Sequence, residues 1–153
     1  MGSPMVNGLE NVKRMNSRLY SNIISELKSE IEKQARKIVA QMNSIKPIPE
    51  IVIDWTWGDA PEGSFTLGKV AGKQYERIAV TIYATASSAD YPGGFPALAR
   101  WFEFGTANRF HKSGKYVGKI TANPYFFPVS RANRKSAKAA LSRAVTRAVK
   151  KTK

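Results

Sequence analysis

His111 is the only histidine of the chain, so a nucleophilic triad would have to use it. It lies among Arg109, Lys112 and Lys115, and no carboxylate is near it in the sequence to orient the ring. The nearby positive charge also disfavours the imidazolium. We therefore expect a histidine that faces solvent or a partner protein.

Glu103 is the one acidic residue between positions 100 and 128. It stands between Phe102 and Phe104, where burial could raise its pKa and make it a catalytic acid. The other interpretation, which we favour, is an ion pair with Arg100, Arg109 or a lysine of the loop that follows.

The sequence offers no other site for chemistry. There is no cysteine and a single histidine, which leaves only scattered carboxylates as metal ligands. The segment from Gly68 to Lys73 is one residue too short between its glycines for a phosphate-binding P-loop, and Gln74 replaces the required Ser or Thr. We predict a protein that is not an enzyme and that uses no metal or other cofactor.

The charge is strongly positive and unevenly distributed. The 25 Lys and Arg against 11 Asp and Glu give +14, and residues 129–153 carry nine basic groups and no acidic one. Such a segment attracts nucleic acid, an acidic protein or a membrane surface. No apolar stretch of about 18 residues and no signal peptide is present, so no membrane partner is expected. Residues 1–4 are interpreted as a cloning scar before Met5.

The first element is predicted to be one long amphipathic helix, or two helices in line, from Leu9 to Met42, because no Pro or Gly interrupts this range and apolar residues recur on one face. That face is either a stripe packed on the core or, over about 30 residues at about 1.5 Å each, long enough to reach a neighbouring subunit. The apolar positions are Val12, Leu19, Ile23, Leu27, Ile31, Ala35, Ile38 and Met42.

Alternating residues then predict an antiparallel sheet with one buried face. The strands are Ile51–Trp57, a short return strand over 65–70, and 77–87, where Ile78, Val80 and Ile82 share a face. Residues 87–96 are predicted to form a loop.

A short helix follows from Pro96 to Phe104 and ends at Gly105, and a second long helix opens at Pro128 and Ser130. The predicted fold is α+β in a single domain over residues 1–153, with a flexible, exposed basic loop at 107–119 and a frayed end at 149–153.

Two groups of aromatic residues enclose the basic loop, and we expect them to anchor its ends to the core. The anchors are Trp101, Phe102, Glu103, Phe104, Gly105, Thr106, Pro124, Tyr125, Phe126, Phe127 and Pro128. The loop itself is expected to contact another subunit and to become ordered on docking. Its contact residues are Arg109, His111, Lys112, Lys115, Tyr116 and Lys119.

The C-terminal helix has two interpretations. Its cations would contact phosphates without reading sequence, or they would form the solvated face of an Ala-rich helix, whose dipole favours cations near the C-terminus. The residues that would face DNA are Arg131, Arg134, Lys135, Lys138, Arg143 and Arg147.

The sequences Ala99-Arg-Trp-Phe-Glu-Phe-Gly-Thr106 and Ala122-Asn-Pro-Tyr-Phe-Phe-Pro128, with the basic loop between them, carry a resemblance. In this order, and followed by a basic helix, they resemble the tail-component family of long-tailed bacteriophages typified by gene product ten of phage HK-ninety-seven. Gly8-Leu-Glu10 at the head of a long helix resembles the start of that family. The family's Thr-Gly-x-Leu-(Arg/Lys) motif before the sheet is missing here.

The resemblance implies a non-enzymatic virion protein of the neck, which completes the tail or joins it to the head. The implied partners are further copies of the chain in a ring of six or twelve, connector or head-closure proteins, and tail-tube or tail-terminator proteins. Contact with the phage genome is a further implication. The implied location is the virion, after assembly in the cytoplasm of the bacterial host.

Overall fold

The computed structural model describes residues 4–67, 78–87 and 95–152 and confirms the α+β class. Four sequence expectations lie wholly or partly outside the described residues: the cloning scar, the end of the return strand, the start of the strand at Arg77 and the 87–96 loop. The elements, in chain order, are α1 (Pro4–Ile45), β1 (Ile51–Trp57), β2 (Phe65–Thr66), β3 (Val80–Ala86), α2 (Pro96–Phe104), β4 (Arg109–Phe110), β5 (Tyr116–Gly118) and α3 (Phe127–Thr152).

The chain divides into two compact units, one of residues 1–34 with 135–153 and the other of residues 35–134. The single domain over residues 1–153 stays a prediction.

In the first unit, the two helical segments run antiparallel, as their ion pairs show. Arg147 contacts Glu26 and Glu30, at 3.4 and 3.1 Å, and Lys151 also pairs with Glu26. Beyond them, Asn22 donates a hydrogen bond of 3.0 Å to the Thr152 hydroxyl. Residues 149–153 were predicted to be frayed, but in the structure α3 continues through Thr152. Buried alanines line α3 at intervals of four residues, at Ala140, Ala144 and Ala148.

The second unit contains a three-stranded antiparallel sheet in the order β1-β3-β2. Ile51 and Ile53 of β1 lie opposite Ala86 and Ala84 of β3, and all four are buried, while Val52 and Asp54 between them are exposed. The single buried face predicted from the alternation is confirmed for these four residues, but Trp57, which was predicted to share that face, is exposed. The core consists of Met42, Ile51, Ile53, Ala84, Ala99, Tyr125 and Phe126.

Helix α2 has the predicted bounds: Pro96 is its first residue and Gly105 follows its last. The segment after it differs from the prediction. Residues 107–119 were expected to form a flexible loop, but β4 and β5 pair antiparallel within it to form a hairpin. Two bonds of 2.8 Å, from His111 N–H to Lys115 O and from Gly114 N–H to His111 O, close its turn. Gly114 supports this turn with a positive φ of 81°.

Helix α3 begins at Phe127, one residue before Pro128, which together with Ser130 was predicted to open it. The reason is a cap that the local sequence does not contain.

Candidate functional site

The carboxylate of Glu103 caps the N-terminus of α3. Its Oε2 accepts hydrogen bonds from the main-chain N–H groups of Tyr125 and Phe126, at 2.8 and 2.9 Å, and its Oε1 accepts one from Phe127, at 2.9 Å. The first N–H groups of a helix have no partner within it and carry the positive end of the helix dipole, so a carboxylate stabilises them. Glu103 is 2% exposed, which strengthens these bonds.

The ion pair predicted for Glu103 was therefore wrong in its partner. None of the ion pairs among the described residues includes Glu103, and its charge is balanced by three N–H dipoles instead. No local signal in the sequence indicates this cap, because the donors are main-chain groups 22 to 24 residues away.

Further main-chain bonds join the same two segments. Asn123 N–H donates to Phe102 O at 2.7 Å, and Thr106 N–H donates to Ile120 O at 2.9 Å. In the opposite direction, the Ile120 N–H donates a hydrogen bond of 2.9 Å to the hydroxyl of Thr106. We call this arrangement, residues 101–106 bonded to residues 120–127, the clasp. It brings together the two motifs that carry the family resemblance.

Gly105 permits the close approach within the clasp. Its φ is +76° and its ψ is 177°, a conformation that is open essentially only to glycine. A Cβ atom at this position would lie 3.0 Å from the nitrogen of Ala122 and 3.1 Å from the oxygen of Ile120. A side chain at position 105 would therefore push the two segments apart.

Aromatic side chains pack beneath the clasp. Tyr125 and Phe126 are fully buried, and the hydroxyl of Tyr125 donates a hydrogen bond of 3.0 Å to the carbonyl of Ala99. Burial, followed by the charge of Glu103, raises the pKa of the Tyr125 phenol. Phe65 of β2 contacts Phe126 with ring centroids 5.1 Å apart, a partner that the sequence did not indicate because it lies in a strand of two residues.

The other predicted anchors are less enclosed. Trp101, Phe102, Gly105, Thr106 and Phe127 are half-buried. Phe104, Pro124 and Pro128 are exposed, and Phe104 packs edge-on against Phe65 at 5.8 Å.

The hairpin presents most of the predicted contact residues to solvent. Arg109 is the exception: it is half-buried, with its guanidinium 5.5 Å from the centre of the Trp101 ring. The exposed members are His111, Lys112, Lys115, Tyr116 and Lys119.

Two exposed apolar residues of the hairpin were not among the predicted contact residues. Phe110 is 62% exposed and packs on Tyr116, with ring centroids 5.5 Å apart, and Val117 is 53% exposed. Their alternation with polar neighbours could have indicated a strand.

The six cations proposed to face DNA are all exposed, but they are not equivalent. Arg147 binds Glu26 and Glu30, and Arg131 lies 5.8 Å from the ring of Phe127. Arg134, Lys135, Lys138 and Arg143 are exposed and take part in none of the ion pairs among the described residues.

Neither the cavity beside the clasp nor the acidic side chains indicate a ligand-binding site within the described residues. An open groove of about 350 Å³ runs beside the clasp and is lined by residues 104–107 and 119–122. Within the described ranges, no three His, Asp or Glu side chains come close enough to hold a metal ion. None of the described helices combines the length and apolar character needed to cross a membrane.

Comparisons with known proteins gave no match: no family model matches the chain, and neither a curated protein nor a solved structure does.

Proposed function

We propose that this chain is a structural subunit of the head–tail junction of a long-tailed bacteriophage, acting in a ring at the neck. The observation that carries the proposal is the clasp. The two motifs of the resemblance, around Glu103 and around Tyr125, bind each other through three hydrogen bonds to one buried carboxylate. Motifs that make one structural unit are a stronger basis for a family assignment than either motif alone.

The clasp also supports an assembly role. It fixes both ends of the hairpin to the core and leaves most of the hairpin's own side chains in solvent. A rigidly mounted, exposed element can contact a neighbouring subunit with little loss of conformational entropy. In a closed ring, each subunit would use this element on the next subunit through a heterologous contact.

The experiment is electron microscopy of particles made without this protein. Full heads beside separate, finished tails are expected, because a neck subunit acts after both parts are complete. Normal particles would refute the proposal. A chain without Lys112–Lys115 should give the same separated heads and tails while keeping its folded circular dichroism spectrum.

A second candidate function is nucleic-acid binding. It is favoured by the exposed cations of α3 that lie outside the described ion pairs, above all Lys138 and Arg143. Binding through phosphates would weaken steeply as salt rises. Replacing both residues by alanine would reduce the slope of log K against log salt by about 0.9 for each phosphate that the protein no longer neutralises. A slope that does not change would remove these two residues from a DNA-binding surface.

A further inference from the structure

The hairpin carries exposed apolar residues together with unbalanced positive charge. Phe110, Tyr116 and Val117 are each more than half exposed. From residue 104 to residue 121 the chain has four cations and no acid, and three of these cations, Lys112, Lys115 and Lys119, are exposed. A two-stranded hairpin is marginally stable in water by itself, and an apolar centre with a charged rim is typical of protein interfaces.

The β1 region of the same unit has the opposite charge. From residue 47 to residue 67 the chain contains four acids and no Lys or Arg. In this range Glu50, Val52 and Asp54 are exposed, and the alternation of a strand places them together on the face opposite its buried isoleucines. This surface, which we call the acidic strand face, thus has an exposed Val52 between two carboxylates. The four acids of the range, all exposed, are Glu50, Asp54, Asp59 and Glu62.

Addition of a strand to the edge of β1 is disfavoured, because side chains already occupy its polar groups. Lys46 Nζ donates to Ile51 O at 2.8 Å, and Asn43 Nδ2 donates to Ile53 O at 3.1 Å. The Trp55 N–H donates to Asp54 Oδ1 at 2.8 Å. Such protection is a common way to prevent edge-to-edge pairing. Recognition at this surface must therefore use exposed side chains.

We propose that the hairpin of one copy docks on the acidic strand face of a second copy, with Lys112 and Lys115 beside Glu50 and Asp54. The opposite charges favour contact between a hairpin and an acidic strand face, since two hairpins repel each other and so do two acidic strand faces. The two surfaces differ, so the contact is heterologous and can be repeated from subunit to subunit. This inference rests on the proposed ring and names the surfaces that would form it.

The test is a charge swap followed by sedimentation equilibrium at low salt. Wild-type chains are expected to self-associate, and association should weaken with added salt. A hairpin variant, Lys112→Glu with Lys115→Glu, and a strand-face variant, Glu50→Lys with Asp54→Lys, should each associate about a hundredfold more weakly, because every contact now pairs like charges.

An equimolar mixture of the two variants should regain association, because each hairpin then meets an oppositely charged face. A chain that carries all four substitutions should also associate with itself. The control variant, Lys138→Glu with Arg143→Glu, changes two exposed cations of α3 and should leave the hairpin contact in place. Circular dichroism checks that every variant is folded.

Wild-type chains that stay monomeric, or a mixture that stays monomeric while the wild type associates, would overturn the docking. Neither result depends on the particle experiment. If the chain proves essential for head–tail joining but the mixture fails, the proposed function stands without this contact. If the charge swap succeeds and particles form normally without the chain, the docking stands and the neck assignment fails.

Discussion

Glu103 Oε2 accepts a hydrogen bond of 2.8 Å from the main-chain nitrogen of Tyr125, across 22 residues of sequence. The same carboxylate accepts hydrogen bonds from the N–H groups of Phe126 and Phe127. One buried side chain therefore fixes the start of α3 and holds together the segments on either side of the hairpin.

Glu103→Gln should lower the free energy of unfolding by about 2–4 kcal/mol, because an amide offers one acceptor oxygen and turns an NH₂ group toward N–H donors. Urea denaturation measures the change. Glu62→Gln, at an exposed position, is the control and should shift stability by less than about 0.5 kcal/mol. Equal stability of the Glu103→Gln variant and the wild type would contradict the cap.

Gly105→Ala should destabilise the protein by about 2 kcal/mol or more, because the strained backbone and the close contact with Ala122 both oppose a Cβ atom. Gly114→Ala is the matched control: its φ is also positive, at +81°, but no atom lies within 4 Å of the added Cβ. It should cost about 1 kcal/mol. Thermal unfolding compares the cost of a side chain at the crowded position with its cost at the open one, and equal losses would argue against the close approach.

Tyr125→Phe should lower the free energy of unfolding by about 1–2 kcal/mol, because the Ala99 carbonyl would no longer have its buried donor. Urea denaturation measures this loss.

The raised pKa of Tyr125 also predicts a pH effect. Since the folded pKa lies above the unfolded value of 10.0, stability is fully present below pH 10 and falls as the pH rises above it. Absorbance at alkaline pH should show that Tyr125 ionises only on unfolding. That step should be missing from the Tyr125→Phe variant, and its persistence there would assign it to another tyrosine.

The antiparallel helix pair of the first unit should weaken in acid. The Lys151 hydrogen bond, with Arg147 adding to it, lowers the pKa of Glu26 below 4.5, and the Gln34 hydrogen bond, again with Arg147, lowers that of Glu30. Stability from these groups is therefore present above pH 4.5 and is lost as the pH falls through the lowered folded values.

Thermal unfolding between neutral and acidic pH tests this effect. Glu30→Gln should reduce the acid-induced loss of stability, and Glu62→Gln, with an exposed side chain, should not. A pH dependence that is unchanged in the Glu30→Gln variant would show that Glu30 contributes little to it.

Elements whose signals are local could be predicted from the sequence alone. The apolar spacing and the absence of Pro and Gly from Leu9 to Met42 predicted one long helix or two helices in line, and α1 covers that range as a single helix. Alternation identified β1 and β3 with their buried face, while Pro96 and Gly105 marked the ends of α2. In each case the information lies within a few residues, because helix and strand periods repeat over short distances.

Contacts between distant segments became visible only once the chain was folded. Local signals suggested Pro128 and Ser130 as the start of α3, but the group that caps it, Glu103, belongs to another helix. Arg147 was proposed to face DNA, but in the antiparallel helix pair of the first unit it forms ion pairs with Glu26 and Glu30. Every residue except proline has a main-chain N–H group, so the sequence does not indicate which of these groups a side chain will bind. The partner of a charged side chain likewise depends on which groups folding brings near it. The clasp is therefore a property of the fold, although its residues were recognisable as two motifs.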